Sequence, residues 1–142
     1  MPMYQPEIET MPQDQIRAHQ SKLLVQQVRN VYDNVPYYRA KMEAKGITPD
    51  DIHGLEDLHK LPFLSKNDLR EAYPYGLLAR PLKDCVRIQS TSGTTGRRVV
   101  AFYTQHDLVL WEDCCARAIM AAGGTNEDVC HVCYGYGLFT GG

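Results

Sequence analysis

Apolar residues recur at helical spacing through the first half of the chain and shift to strand-like runs only after residue 85. Ile16, Leu23, Leu24, Val28, Val31 and Tyr32 fall on one face of a helical wheel. Charged and amide side chains fill the other face, which predicts an amphipathic helix from Pro12 to Tyr32. Asn34 and Pro36 break it, and a second short helix is predicted from Tyr37 to Lys45, stopped by Gly46. Thr48 reads as the N-cap of a third helix with Pro49 in its first turn, and Leu55, Leu58 and Leu61 carry its apolar face to Pro62. Ser65-Lys66-Asn67-Asp68 opens another in the manner of a capping box, with Asp in place of Glu.

From Val86 the pattern predicts strand, loop, strand, helix, strand. Val86–Ile88 and Val99–Tyr103 are the first two strands. Thr104 caps a helix running to Ala122, with Leu108, Trp111, Cys115, Ala118, Ile119 and Ala122 as its expected buried stripe. Gly123-Gly124 ends it, and Val129–Tyr134 is predicted as a strand. The fold class expected is α/β: a helical lobe over 1–85, then the first strands and helix of an α/β core over 86–142. No internal repeat or low-complexity segment interrupts this layout.

Composition narrows the class. The chain has 142 residues, a net charge of −2 and 44% hydrophobic residues. That suits one folded domain of modest size rather than a disordered chain. No broad basic field attracts nucleic acid, and no apolar run reaches transmembrane length. The first residues lack the basic and apolar regions of a signal peptide, so the expected location is the cytoplasm.

The candidate chemistry sits between the two predicted strands. Ser90-Thr91-Ser92-Gly93-Thr94-Thr95-Gly96-Arg97-Arg98 is rich in hydroxyls and glycine and leaves through two arginines. Glycine permits close backbone approach to a ligand, hydroxyls donate to phosphate oxygens, and a guanidinium grips phosphate through paired hydrogen bonds. The segment therefore suits a cradle for nucleotide phosphates. Its spacing is not G-x-x-x-x-G-K-[ST], and a polar hairpin turn fits the same residues.

The string Thr91-Ser92-Gly93-Thr94-Thr95-Gly96 resembles the phosphate loop of acyl-adenylate-forming enzymes. Those loops continue with Lys-Pro, whereas this chain has Arg97 and Arg98. Positive charge is kept and the proline turn is lost, so loop dynamics and phosphate geometry are expected to differ. Five ordered blocks narrow the resemblance to the phenylacetate–CoA ligase family: Val35-Pro36-Tyr37-Tyr38-Arg39, Leu61-Pro62-Phe63, Asp68-Leu69-Arg70, Tyr73-Pro74-Tyr75-Gly76-Leu77 and Tyr134 to Gly142. The resemblance runs from about Gln15 to the last residue. It implies an N-terminal segment of a longer ligase, with the catalytic lysine and the C-terminal domain beyond Gly142, and no ligase activity in this segment alone.

The resemblance also implies a reaction. A carboxylate attacks the α-phosphorus of MgATP to give an acyl-adenylate, and coenzyme A then displaces AMP. Ser90, Thr91, Ser92, Gly93, Thr94, Thr95, Gly96 and Arg97 are the expected phosphate-binding residues. ATP, Mg2+ and coenzyme A are the expected cofactors, a small aryl acid the expected substrate, and a homodimer a further expectation. An adenylyl transferase to a non-CoA acceptor on the same fold, or a non-catalytic segment that docks on a partner, are the competing readings.

Two further motifs remain. Tyr134-Gly135-Tyr136-Gly137-Leu138-Phe139 alternates large apolar groups with glycine. Spacing alone suits a tightly packed strand. The resemblance instead implies an aryl pocket, with Tyr136 and Phe139 on the substrate ring and Tyr134 behind them. Cys130-His131-Val132-Cys133 has the C-x-x-C spacing of metal or redox pairs, but four protein ligands are not in sight. Cys130 and Cys133 are therefore expected as small buried residues of the strand, with a metal role as the weaker alternative.

Overall fold

A computed structural model describes residues 3–93, 98–133, 135, 137 and 138. Among the described residues five α-helices and two strands follow one another: α1 (Pro6–Glu9), α2 (Gln13–Asn34), α3 (Pro36–Ala44), α4 (Lys66–Glu71), β1 (Cys85–Ser90), β2 (Val100–Thr104) and α5 (Gln105–Ala121). Short 3-10 turns at Pro49–Asp51, Leu55–Lys60 and Leu82–Asp84 fill the connections.

The helical lobe folds around a small apolar cluster. Val28 of α2, Met42 of α3 and Ile52 are buried together, with Leu24, Tyr32, Tyr38, Ile47 and Leu61 packed against them. Val35 caps α2 and leads into Pro36 at the first turn of α3. The missing N–H of proline costs nothing there, because first-turn donors have no partner inside the helix. The carbonyls that end α2 are satisfied by Arg39, whose Nε and Nη2 donate to Tyr32 and Asp33 at 2.6 Å each. The α3 helix stops where predicted. Gly46 takes φ +67°, and Ile47 N–H returns to the Met42 carbonyl at 3.0 Å while Gly46 N–H bonds Glu43 at 2.9 Å. This Schellman closure needs a left-handed residue and sends Ile47 back onto the core.

The segment from Thr48 to Leu61 departs from the single helix that its leucines predict. Thr48 and Asp51 do form a capping box, but two 3-10 turns replace the helix. The break is Gly54, whose extended backbone lies against α2: a Cβ there would stand 3.1 Å from the Ser21 hydroxyl. Ser21 Oγ accepts from Leu55 N–H at 3.2 Å. Contact with α2 outweighs the weak preference for continuing helix.

Past the lobe, the order strand, loop, strand, helix is as expected. The strands pair antiparallel, with Ile88 opposite Phe102 and Ser90 opposite Val100, and an irregularity between Cys85 and Arg87. Thr104 and Asp107 form the capping box that opens α5. Two expectations fail. The predicted buried stripe of α5 is not buried: Trp111 and Ile119 are exposed, as is Cys115. Apart from β2, no described element packs closely along that helix. Residues 129–133 form no strand, and Val129 is 98% exposed; a strand is stable only when a neighbour takes up its backbone groups.

Candidate functional site

The hydroxyl-rich segment connects β1 to β2 as the turn of an antiparallel hairpin. Ser90, the last residue of β1, is only 2% exposed. Its hydroxyl accepts from Arg98 Nη1 at 3.4 Å. Thr91 N–H donates to the Val99 carbonyl at 3.0 Å, and Val99 N–H donates to Thr91 Oγ1 at 3.1 Å. These bonds make a closed neck. Beyond it Ser92 is exposed and Gly93 takes φ +73°, a left-handed turn out of the strand that glycine adopts without steric cost. Thr94, Thr95, Gly96 and Arg97 lie outside the described residues.

The neck also touches the aromatic block. Successive N–H groups of a strand point to opposite edges. Thr91 uses its N–H on β2, so that of Ser90 points away from β2. It donates to the Leu138 carbonyl at 2.6 Å. A segment 48 residues further along the chain is thus fixed at the root of the loop. Sequence reasoning treats the loop and the aromatic block as separate motifs; the structure brings their backbones together. Tyr134, Tyr136 and Phe139 themselves lie outside the described residues.

A cleft of about 960 Å³ opens beside the hairpin, between α2, the 74–80 segment and the start of α5, where Asn30, Arg80, Asp84, His106 and Asp107 supply polar lining. Val100, the first residue of β2, reaches its wall. Tyr75 tilts against Phe102 of β2 with ring centroids 5.6 Å apart, which ties the 74–80 segment to the hairpin. The Asp107 carboxyl is held below the usual range, first by the Thr104 hydroxyl and then by the Thr104 N–H; it is a helix cap, not a proton donor in waiting.

Cys130 and Cys133 are both exposed, contrary to the buried pair expected. Without the strand, nothing covers them among the described residues. No group of three or more His, Cys, Asp or Glu side chains able to share one metal ion occurs among the described residues. The residue that sequence reasoning underrates is Arg98: it reads as loop-exit charge, and its contact with Ser90 becomes visible only with the register of the hairpin.

No protein-family model matches the chain. Among solved structures, 2-hydroxyisobutyryl-CoA ligase in complex with 2-HIB-AMP and CoA superposes with a TM-score of 0.73 at 30% identity, over 84% of this chain and 27% of that one. The same ligase in its postadenylation state with 2-HIB-AMP gives a TM-score of 0.74 at 27% identity, over 83% of this chain and 26% of that one. The fold is the α/β fold of acyl-CoA ligases that work through an adenylate.

Curated relatives sharpen the class. Phenylacetate-coenzyme A ligase of Pseudomonas putida is 50% identical over 135 residues, which cover 95% of this chain and 31% of that one. The Thermus thermophilus enzyme of that name is 46% identical over 140 residues, covering 99% and 32%. That of Escherichia coli is 47% identical over 135 residues, covering 95% and 31%. The chain is similar to phenylacetate-coenzyme A ligases along nearly its whole length, and spans about a third of the length of the curated relatives it matches.

Proposed function

We propose that the full-length gene product is an AMP-forming aryl-acid–CoA ligase acting on phenylacetate, and that this chain carries its phosphate loop and part of its acid pocket. The observation that carries the reading is the identity of 50% to a phenylacetate-coenzyme A ligase across 95% of the chain. The Ser90–Leu138 bond supports it, because an acyl-adenylating site needs its phosphate loop and acid pocket side by side.

In this reading a phenylacetate oxygen attacks the α-phosphorus of MgATP and pyrophosphate leaves. The coenzyme A sulfur then attacks the acyl carbon and AMP leaves. Neither step needs a protein nucleophile; positioning and neutralisation of phosphate charge do the work. Thr91, Ser92, Gly93, Thr94, Thr95 and Gly96 hold the β- and γ-phosphates, with Arg97 adding charge and Ser90 anchoring the loop. Tyr136 and Phe139 contact the substrate ring, with Tyr134 behind. Edge-to-face contacts of about 1 kcal/mol each favour an aryl acid over a small aliphatic one. Magnesium enters bound to ATP as substrate. Residues 1–85 form a helical lobe that supports the start of the adenylating core at 86–142. ATP and coenzyme A are drawn from the cytoplasm in this reading, and size-exclusion chromatography tests the expected homodimer.

The test is acid-dependent pyrophosphate release by the full-length gene product against a panel of phenylacetate, indoleacetate and 2-hydroxyisobutyrate. Phenylacetate giving the highest kcat/KM supports the reading. A preference for 2-hydroxyisobutyrate would overturn the aryl assignment.

A further inference from the structure

We propose that Arg98 is a positioning residue that clamps the neck of the 91–99 loop and so sets how tightly the loop grips a polyphosphate. The proposal rests on the reading of this loop as a phosphate cradle. Ser90 lies opposite Val100, which makes Arg98 its diagonal neighbour across the hairpin, a separation that a long side chain spans. The guanidinium takes this path and donates to the buried Ser90 hydroxyl at 3.4 Å.

The bond is placed where it controls the loop. Below it the ladder of β1 and β2 is regular from Arg87 to Ser90. Above it only the two reciprocal bonds between Thr91 and Val99 hold the sides together among the described residues. Arg98 adds a side-chain tie at the base of that pair, and Ser90 is already fixed by the Leu138 carbonyl. A neck held closed before the ligand arrives loses less conformational freedom on binding, so affinity rises without a new ligand contact. A planar guanidinium with several donors holds such a cross-strand geometry better than the single ammonium of lysine.

The experiment compares wild type, R98A and R98K in the full-length gene product. Amide hydrogen exchange is followed at Thr91 and Val99, with Ile88 and Phe102 as internal controls, and tripolyphosphate is titrated as the probe. Loss of this long bond predicts exchange at Thr91 and Val99 about threefold faster in R98A, with tripolyphosphate binding about threefold weaker. The control amides stay unchanged and R98K falls between. Unchanged exchange at Thr91 and Val99 in R98A would overturn the clamp. So would full recovery of tripolyphosphate affinity in R98K while neck exchange stays fast, since Arg98 would then act only as a counter-charge. Failure of the wild type to bind tripolyphosphate would instead sink the phosphate-cradle reading, and the exchange rates would still decide the clamp.

Discussion

Asp68 gathers more polar contacts than its place on a short helix requires. One carboxylate oxygen meets Lys41 Nζ at 2.5 Å and accepts from the Tyr37 hydroxyl at 2.8 Å. The other accepts from the Ser65 N–H and hydroxyl at 2.6 Å each. Lys41, then Ser65 and Tyr37, hold the Asp68 carboxyl well below the usual range. Tyr37 is pushed up in turn, first by its bond to Asp68, then by desolvation and by Glu71. The sign of the linkage follows: a depressed carboxyl stabilises the fold above its unfolded pKa of about 4 and loses that contribution as pH falls toward the folded value. D68N should therefore lower the Tm at pH 7, and its gap to wild type should narrow below about pH 4. A gap independent of pH would contradict the account. At the same scale, T94A in the full-length gene product should raise the KM for ATP while leaving the Tm unchanged; unaltered ATP kinetics would remove Thr94 from the proposed phosphate site. Residues of this kind are unevenly legible. The capping pairs at Ser65 and Thr104 follow from their S/T-x-x-D spacing alone. Lys41 and Tyr37 lie 27 and 31 positions before Asp68, and only folding brings them to it.

Elements with their own start and stop signals are legible in the sequence, and those that need a distant partner are not. Helix α3 runs from a proline at its first turn to Gly46, both plain in the sequence. Gly46 adopts a left-handed conformation, and a Cβ added there would meet nothing within 4 Å. G46A therefore tests backbone strain without a clash. It should cost about 1 kcal/mol in urea unfolding; a neutral G46A would mean the turn relaxes. Met42 of α3, fully buried against Val28 of α2 and Ile52, carries more: M42A should cost about 3 kcal/mol. The predicted helix through Leu55 and Leu58 fails because Gly54 and Ser21 meet, a contact set by α2 and not by local spacing. Helix α5 shows the reverse: its bounds are legible from Thr104 and Gly123, but periodicity identifies an apolar stripe without saying what covers it.

Across the whole molecule, burial is uneven. The fully buried apolar residues cluster in the helical lobe, whereas β1 keeps Val86 and Ile88 exposed, α5 keeps Leu110 and Ile119 exposed, and β2 is only half-buried. Stability should follow that gradient. Amides of α2 and α3 should exchange more slowly than those of α5, and equal protection would contradict it. The loop between β1 and β2 hangs from the less buried part, which gives its neck bonds their importance. The fold and the likeness to phenylacetate-coenzyme A ligases are legible from ordered motifs, while the meeting of Ser90 with Leu138 is not, because it depends on which edge of β1 stays open. The decisive measurement of the proposed ligase activity is AMP formation by the full-length gene product, with phenylacetate and coenzyme A supplied separately and together. A phenylacetate–CoA ligase releases AMP in a sustained way only when both are present. AMP release that needs phenylacetate but ignores coenzyme A, or that needs neither, would contradict the proposal.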